Sequence, residues 1–389
     1  MTKLEKLIQE LCPEGVEYKE ISEVTNYEQP SKYIVKSTAY RDEYEIPVLT
    51  AGQSFVLGYT DESDGVYPAS KATPVIIFDD FTAAFKWVVF PFKVKSSAMK
   101  IITAKEDSLL IRFLFHWMGV LNYSSTEHTR LWIGTYSKFR IPVPPLPVQH
   151  EIVRILDNFT ELTAELTAEL TARKRQYAYY RDKLLHNDAT TVYKRLGDFC
   201  DLLSGFPFDS SKFKEDGIRL MRGMNIKRGY LDFTEENNRY WERTDGVEKY
   251  LLNDQDIVIS MDGSLVGSSY GMVSKKDLPL LLVQRVTRIR TNQANIRYVY
   301  HYIASGRFTE YVHKKKTAGA IPHISLKDIS NFEVPLPSLE VQKRLVEVLD
   351  NFDSICTDLN IGLPAEIEAR QKQYEYYRDK LLTFREISN

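Results

Sequence analysis

The chain has 389 residues, 43% apolar and 27% charged, with 51 Lys and Arg against 53 Asp and Glu and a formal net charge of −2. This is the composition of a folded protein with room for two or three domains, and it argues against a uniformly basic nucleic-acid binder. No apolar run approaches the roughly 20 residues of a membrane helix, and the opening MTKLEKLIQE lacks a signal-type apolar core. Three cysteines (Cys12, Cys200, Cys356), with no C-x-x-C and no clustered His, argue against a disulfide framework or structural zinc and fit a reducing cytoplasm.

In chain order, strand-like runs at 46–50, 74–78 and 87–90 precede an amphipathic helix near 107–121. An extended exit follows, Ile141-Pro142-Val143-Pro144, whose prolines forbid helix and start the next one cleanly. From 148 to 185 apolar residues recur with 3-4 spacing: Leu156, Phe159, Leu166, Leu170, Tyr177, Tyr180 and Leu184, with Thr163 and Arg173 at two seam positions. That heptad pattern predicts a helix suited to an antiparallel partner, about 57 Å long at about 1.5 Å per residue. Strands at 256–260 and 280–283, a helix near 292–305 and the exit Phe332-Glu333-Val334-Pro335 come next. A second helical region then carries Leu345, Leu349, Phe352, Leu359, Tyr374, Tyr377 and Leu381, and Gly362-Leu363-Pro364 predicts a break in it.

The second series repeats the first. Leu156-Asp157-Asn158-Phe159 recurs as Leu349-Asp350-Asn351-Phe352, and YYRDKLL at 179–185 recurs at 376–382. Pro144-Pro145-Leu146-Pro147 echoes Pro335-Leu336-Pro337, and Gln149 matches Gln342. More weakly, Val75-Ile76-Ile77 ending at Asp80 parallels Ile257-Val258-Ile259 ending at Asp262, and Ile111-Arg112-Phe113 with His116 parallels Ile296-Arg297-Tyr298 with His301. The two histidines are expected to be packing residues. The expected fold is α+β: two α/β domains in tandem, 1–147 and 188–337, separated and joined by two long antiparallel coiled-coil helical regions, 148–187 and 338–389. Halves so related can pack about a pseudo-twofold axis. Local charge follows the repeat: residues 1–80 carry a net −8, but 81–150 carry +6 and 257–327 carry +8. Within the first rod, Thr163-Ala164-Glu165-Leu166 is repeated at once as Thr167-Ala168-Glu169-Leu170. Each unit is about one helical turn, or about 6 Å; it is either a length-setting element or an ordinary helix-favouring repeat.

The PLP entries, each followed by a Gln (PLPVQ and PLPSLEVQ), the ILDNF and VLDNF segments, the TAEL pair and the RQYAYYRDKLL and KQYEYYRDKLL ends resemble the specificity subunits of type I restriction-modification enzymes. So do IPVLTAGQSFVLGY, VIIFDDF and SSAMK, and the resemblance covers essentially the whole chain. It implies two target-recognition domains, each reading one half of a bipartite, asymmetric DNA site, with helices that set the unread spacer. The implied partners are double-stranded DNA, two modification subunits that carry S-adenosylmethionine and methylate adenine, and restriction subunits that use ATP and Mg. It implies no catalytic residue, cofactor, metal or membrane contact in this chain. The sequence holds neither a D/N-P-P-Y/F tetrapeptide nor a Walker-type loop. Asp79-Asp80 followed by Lys86 reads as a strand-end turn rather than a metal nuclease's carboxylates. The rival readings are a coiled-coil scaffold with protein-binding modules and a fused restriction-methyltransferase enzyme.

Phosphate contacts need cations and small polar donors, and base edges need Arg, Asn, Gln or Lys able to bond in pairs. In the first domain the candidates are Gln29, Lys32, Lys86, Lys93, Lys95, Lys100, Arg130, Tyr136 and Lys138. In the second, Arg222, Asn225 and Lys227 form one cluster and Gln284, Arg285, Arg288 and Arg290 another. Two-residue spacing puts Arg288 and Arg290 on one strand face, where they either line a groove or pair with local acids. Lys314, Lys315, Lys316 and Thr317 lead into Gly319 as a basic loop suited to phosphate.

Overall fold

The duplication in sequence is a duplication of topology. The computed structural model describes all residues except 51–53, 106, 124–128, 186–190, 318, 320, 358–361 and 388–389. It divides into two units, Met1–Thr167 with Glu366–Asn389, and Ala168–Ala365. The first contains α1 (Lys3–Leu11), β1 (Tyr18–Glu20), α2 (Ile21–Val24), β2 (Thr25–Glu28), β3 (Ile46–Leu49), β4 (Val56–Thr60), β5 (Val75–Asp79), β6 (Phe85–Val88), β7 (Lys93–Val94), β8 (Met99–Ala104), α3 (Ile111–Met118), β9 (Arg140–Pro142) and the start of α4 (Leu146–Leu184). The second holds the rest of α4, then β10 (Tyr193–Arg195), α5 (Leu196–Phe199), β11 (Asp201–Ser204), β12 (Ile218–Met221), β13 (Tyr240–Trp241), β14 (Ile257–Ser260), β15 (Tyr270–Met272), β16 (Leu280–Leu282) and β17 (Val286–Arg290). It continues through α6 (Ile296–Ile303), α7 (Gly306–Lys315), α8 (Leu326–Ser330), β18 (Glu333–Pro335) and α9 (Leu339–Thr357); α10 (Leu363–Leu381) belongs to the first unit from Glu366 onward.

The first unit's sheets have strand orders β2-β8-β5-β6, β4-β3-β7 and β1-β9, and the second repeats them as β11-β17-β14-β15, β13-β12-β16 and β10-β18. The parallel pairing of β3 with β7 recurs as β12 with β16. Strands β5 and β14 are unbroken apolar runs because both their faces are covered. Successive side chains alternate, so Ile76 and Phe78 pack with Phe113 and Leu114 of α3, while Val75 and Ile77 pack with Leu49 and Val94 of the three-stranded sheet. In the second unit Ile257 and Ile259 pack with Tyr298 and Val299 of α6, and Val258 packs with Met221 and Leu282.

Most predicted elements lie within two to four residues of their expected ends. The run expected at 87–90 is a strand at Phe85–Val88, because its register is set by the hairpin with β5, where Phe78 faces Phe85. The helix expected near 292–305 starts at Ile296, because Asn295 caps it by accepting from the Arg297 amide at 2.9 Å. Among the described residues helix α9 runs to Thr357 and a separate helix, α10, starts at Leu363 with Pro364 in its first turn, in keeping with the Gly-Leu-Pro break; Leu359 lies outside the described residues.

The well-matched motifs mate with each other's copies. In the first unit Val148, Ile152 and Leu156 of α4 and Leu382 after α10 are buried in one core, and Phe159 stacks on Tyr377 at 5.4 Å. In the second, Val346 and Leu349 of α9 share a core with Leu185, and Phe352 stacks on Tyr180 at 6.0 Å. Each recognition domain is therefore held by the start of one helical region and the end of the other.

A buried histidine joins all three pieces. The His116 Nε2–H donates to Asp157 Oδ1 at 2.9 Å, and Nδ1 accepts from the Tyr374 hydroxyl at 2.9 Å. Arg112, one turn earlier on α3, donates to the same carboxylate at 2.8 Å. The second unit repeats this with His301 and Asp350 at 2.6 Å, the Tyr177 hydroxyl and His301 at 3.1 Å, and Arg297 and Asp350 at 3.1 Å. Burial drives the His116 pKa below its ordinary value against the pull of Asp157, so the ring is held neutral. Burial also pushes Asp157 and Asp350 upward, but the His and Arg bonds more than reverse this; Asp350 falls to about 2. A glutamine completes each joint. Gln149 Oε1 accepts from the Leu110 amide at the start of α3 (2.8 Å) and its Nε2–H donates to Pro144 O (2.7 Å). Gln342 repeats the pattern with Asn295 (2.9 Å) and Pro337 (2.8 Å).

Removing the imidazole in His116→Ala leaves buried polar partners unpaired, and urea unfolding is expected to show a loss of about 1–3 kcal/mol. The pH dependence has a fixed sign. Because the folded His116 pKa lies below the 6.5 of a free imidazole, the unfolded chain binds its proton first and stability falls as pH drops through that value. The Asp157 and Asp350 contributions are present above the ordinary carboxylate value of 3.8 and are lost only in stronger acid. The urea midpoint should therefore fall between about pH 7 and 5, and His116→Gln should flatten that fall; equal slopes in both proteins would contradict the assignment.

Candidate nucleic-acid interface

In the second unit β16 and β17 are joined by a tight turn at 283–286, closed by the Val286 amide donating to Val283 O at 3.2 Å. Its third residue, Arg285, has φ of +70°, the geometry of a type II turn, where glycine is the ordinary occupant. The Arg285 carbonyl accepts from the Met261 amide at 2.8 Å, pinning the turn to the end of β14. The side chain is exposed, with Nη1 at 3.3 Å from His323 Nδ1. His323 in turn donates its amide to Thr317 Oγ1 at 3.1 Å, and Thr317 follows α7, whose last turn presents Lys314 and Lys315. A cavity of about 460 Å³ opens beside the turn, lined by Arg222, Met224, Lys227, Asp262, Leu265, Gln284 and Arg285 among others. The three candidate clusters of this domain thus meet: Arg222 and Lys227 share the cavity with Gln284 and Arg285, and His323 links it to Thr317 and the lysines. His323 was not among the sequence candidates; its link to Arg285 comes from the Asp262–His323 bridge between segments far apart in sequence.

The other candidates of this domain build the fold. Asn225 is fully buried: it accepts from the Arg222 amide (3.1 Å) and donates to Asp232 O (2.9 Å) and Asn237 O (3.1 Å), so it shapes the loop and is not an exposed reader. Arg288 and Arg290 both pair with acids, and Arg290 also lines a cavity of about 460 Å³ with Asp198, Asp201 and Gln293. Arg288, 4% exposed, is bound to Asp201, and Arg290 donates twice to Asp256 at 2.7 and 2.6 Å. Both sit on β17, an inner strand, where a charge needs a partner. Lys227 has a looser contact with Asp232 at 3.6 Å, and Lys316 is half-buried where its amide closes α7.

In the first unit burial removes three candidates from the surface, and a fourth, Gln29, is half-buried with both ends of its amide bonded. Lys93, 1% exposed, pairs with Glu62 at 2.9 Å, and Lys100, 2% exposed, pairs with Asp80 at 3.1 Å. Gln29 accepts from Lys100 and donates to Ser97 O at 2.5 Å. Tyr136, 1% exposed, lies among the rings of Phe78, Trp132 and Phe139. Lys32 is exposed but pairs with Glu28 at 2.8 Å. Lys86, Lys95, Arg130 and Lys138 are exposed. Lys138 lines a cavity of about 480 Å³ with Asn26, Tyr27, Lys105 and Ile133, and the other three do not line it. Asp79 closes the turn after β5 by accepting from the Phe81 amide at 2.9 Å, and Asp80 accepts from the Trp132 amide at 2.8 Å.

Comparison with known proteins follows the same duplication. The type I restriction modification DNA specificity domain matches residues 13–173 and again 189–369. The specificity subunit of the Escherichia coli type I restriction enzyme EcoR124I/EcoR124II is 42% identical over 399 residues, 99% of this chain and 97% of that one. The crystal structure of the type I restriction-modification S subunit from M. genitalium aligns with a TM-score of 0.58 at 13% identity, covering 95% of this chain and 96% of that one. A chain from a structure of type I restriction-modification complex assembly and conformational transition aligns with a TM-score of 0.58 at 17% identity, covering 95% and 97%. These two likenesses bear on the fold. No helix among the described residues is long and apolar enough to cross a membrane. With the specificity domain matched once in each half and a relative alike over nearly its full length, the chain belongs to the specificity subunits of type I restriction-modification systems and carries two DNA-recognition domains in tandem.

Proposed function

We propose that the two domains read the two halves of one bipartite, asymmetric DNA site and that the helices set the unread spacer. The chain does this in the cytoplasm without catalysing a reaction. It serves two modification subunits that bring S-adenosylmethionine, and restriction subunits that bring ATP and Mg. The observation that carries this reading is one scaffold used twice with unlike exposed loops. The link between β7 and β8 is Lys95-Ser96-Ser97-Ala98, whereas that between β16 and β17 holds Gln284 and Arg285. A shared frame with different loops suits two different half-sites. Phosphate contacts are assigned to Lys314, Lys315, Lys316 and Thr317 in the second domain and to Lys86, Lys95, Arg130 and Lys138 in the first. Asp79 and Asp80 are committed to a turn and to a buried ion pair, which supports recognition without chemistry.

The direct test assembles the chain with its modification subunits and S-adenosylmethionine and maps methylated adenines on genomic DNA. A single bipartite motif with a fixed gap is expected, and replacing residues 188–337 should change one half alone. A continuous motif, or unmethylated DNA from a correctly assembled complex, would favour the scaffold reading. A third TAEL unit after Leu170 adds about 6 Å and should lengthen the gap by about 1 to 2 base pairs at about 3.4 Å each; an unchanged gap would remove the helices as the ruler. Lys314→Ala with Lys315→Ala should weaken all sequences alike and lower the salt slope by about 2. Lys100→Met should instead cost roughly 3–5 kcal/mol of stability, because it strands Asp80, with the slope unchanged in the folded protein.

A further inference from the structure

We propose that the cavity beside the 283–286 turn is where the second domain reads base edges, with Gln284 and Arg285 setting which half-site it accepts. This rests on the DNA-recognition reading above and goes further by separating base contact from phosphate contact within one surface. The backbone supplies the first argument. An arginine in the left-handed region, at a turn position where glycine is free of strain, is costly for the fold. Among the described residues its side chain interacts with His323 alone, a half-buried ring 3.3 Å away, so folding gains little in return.

The lining supplies the second. Asp262 shares the cavity with Gln284 and Arg285. A carboxylate repels phosphate but accepts from the amino group of cytosine, while Arg donates in pairs to guanine and Gln bonds adenine in pairs. The rim supplies the third. Met224 and Leu265 line the cavity and are exposed, and Ile321 is 70% exposed next to Pro322, whose carbonyl accepts from the Gly263 amide at 3.1 Å. Apolar side chains there suit thymine methyl groups and offer nothing to phosphate. Lys314 and Lys315, exposed in the last turn of α7, do not line the cavity and keep the phosphate role.

The experiment uses the full chain assembled with its modification subunits, and measures methylation rates on duplexes carrying single base-pair changes in either half-site. Arg285→Gly and Gln284→Ala should each lose discrimination at one position of the half read by the second domain, by roughly 5- to 150-fold, the span of one paired base contact. Discrimination in the other half should be kept. Arg285→Gly should melt at the same temperature as the parent or higher, because glycine relieves the turn. Unchanged discrimination in both variants, a uniform fall over the whole panel, or a lower melting temperature for Arg285→Gly would overturn the assignment. A parent complex that shows no bipartite preference at all would instead overturn the proposed function.

Discussion

A neutral imidazole with one proton to give determines how this chain is put together. His116 gives that proton to Asp157 and receives one from Tyr374, so it needs a residue from each helical region to be satisfied. A buried ring left without either partner would carry the full penalty of lost hydration. His301 likewise bonds a residue from each helical region, Asp350 and Tyr177. This is why the helical regions are exchanged between units: neither domain can complete its joint from its own copy alone. The arginine one turn earlier balances the carboxylate's charge, and the glutamine at the helix entry fixes the angle by accepting from the amide of the N-cap residue before α3 or α6.

The cations divide by where they sit on the sheets. Those on inner strands are drawn into ion pairs because a bare charge cannot be buried. Lys100 and Arg288 went this way, and so did Lys93, buried on the edge strand β7; Arg290 is paired too but stays half-exposed. Those at turns and helix ends remain outside, and in the second domain they converge on the turn at 283–286 and the end of α7. The local positive balance is thus smaller at the surface than along the sequence, and more concentrated. A chain with a net charge of −2 can still present one basic face.

Much of this was legible beforehand because the joint is made of short, nearly identical motifs. Asp157 and Phe159 sit in one LDNF and Tyr374 and Tyr377 in the other YYRDKLL segment, so the repeat that stands out in the sequence is the repeat that packs. The apolar runs at β5 and β14 likewise announced strands, though not that both faces would be covered. The misread residues share one cause. A lysine does not display its partner: Glu62 lies well before Lys93, Asp80 before Lys100, and Asp201 far before Arg288, brought close only by strand pairing. Asn225 looked like a reader because asparagine serves both bases and loops, and here its bonds go to Asp232 and Asn237. The positive φ of Arg285 left no trace in the local sequence, since the residue that would have signalled the turn, a glycine, is absent.

The Arg and His of each joint lie four residues apart, on one face of α3 or α6, and bind the same carboxylate of the helical region. Such a fitting works as a standard coupling. A gene fragment from a relative that carries the same pair on its helix would dock onto the resident helices whatever its loops read. A new DNA-recognition domain could then be inherited by the exchange of half a gene between lineages, with the resident helices left untouched.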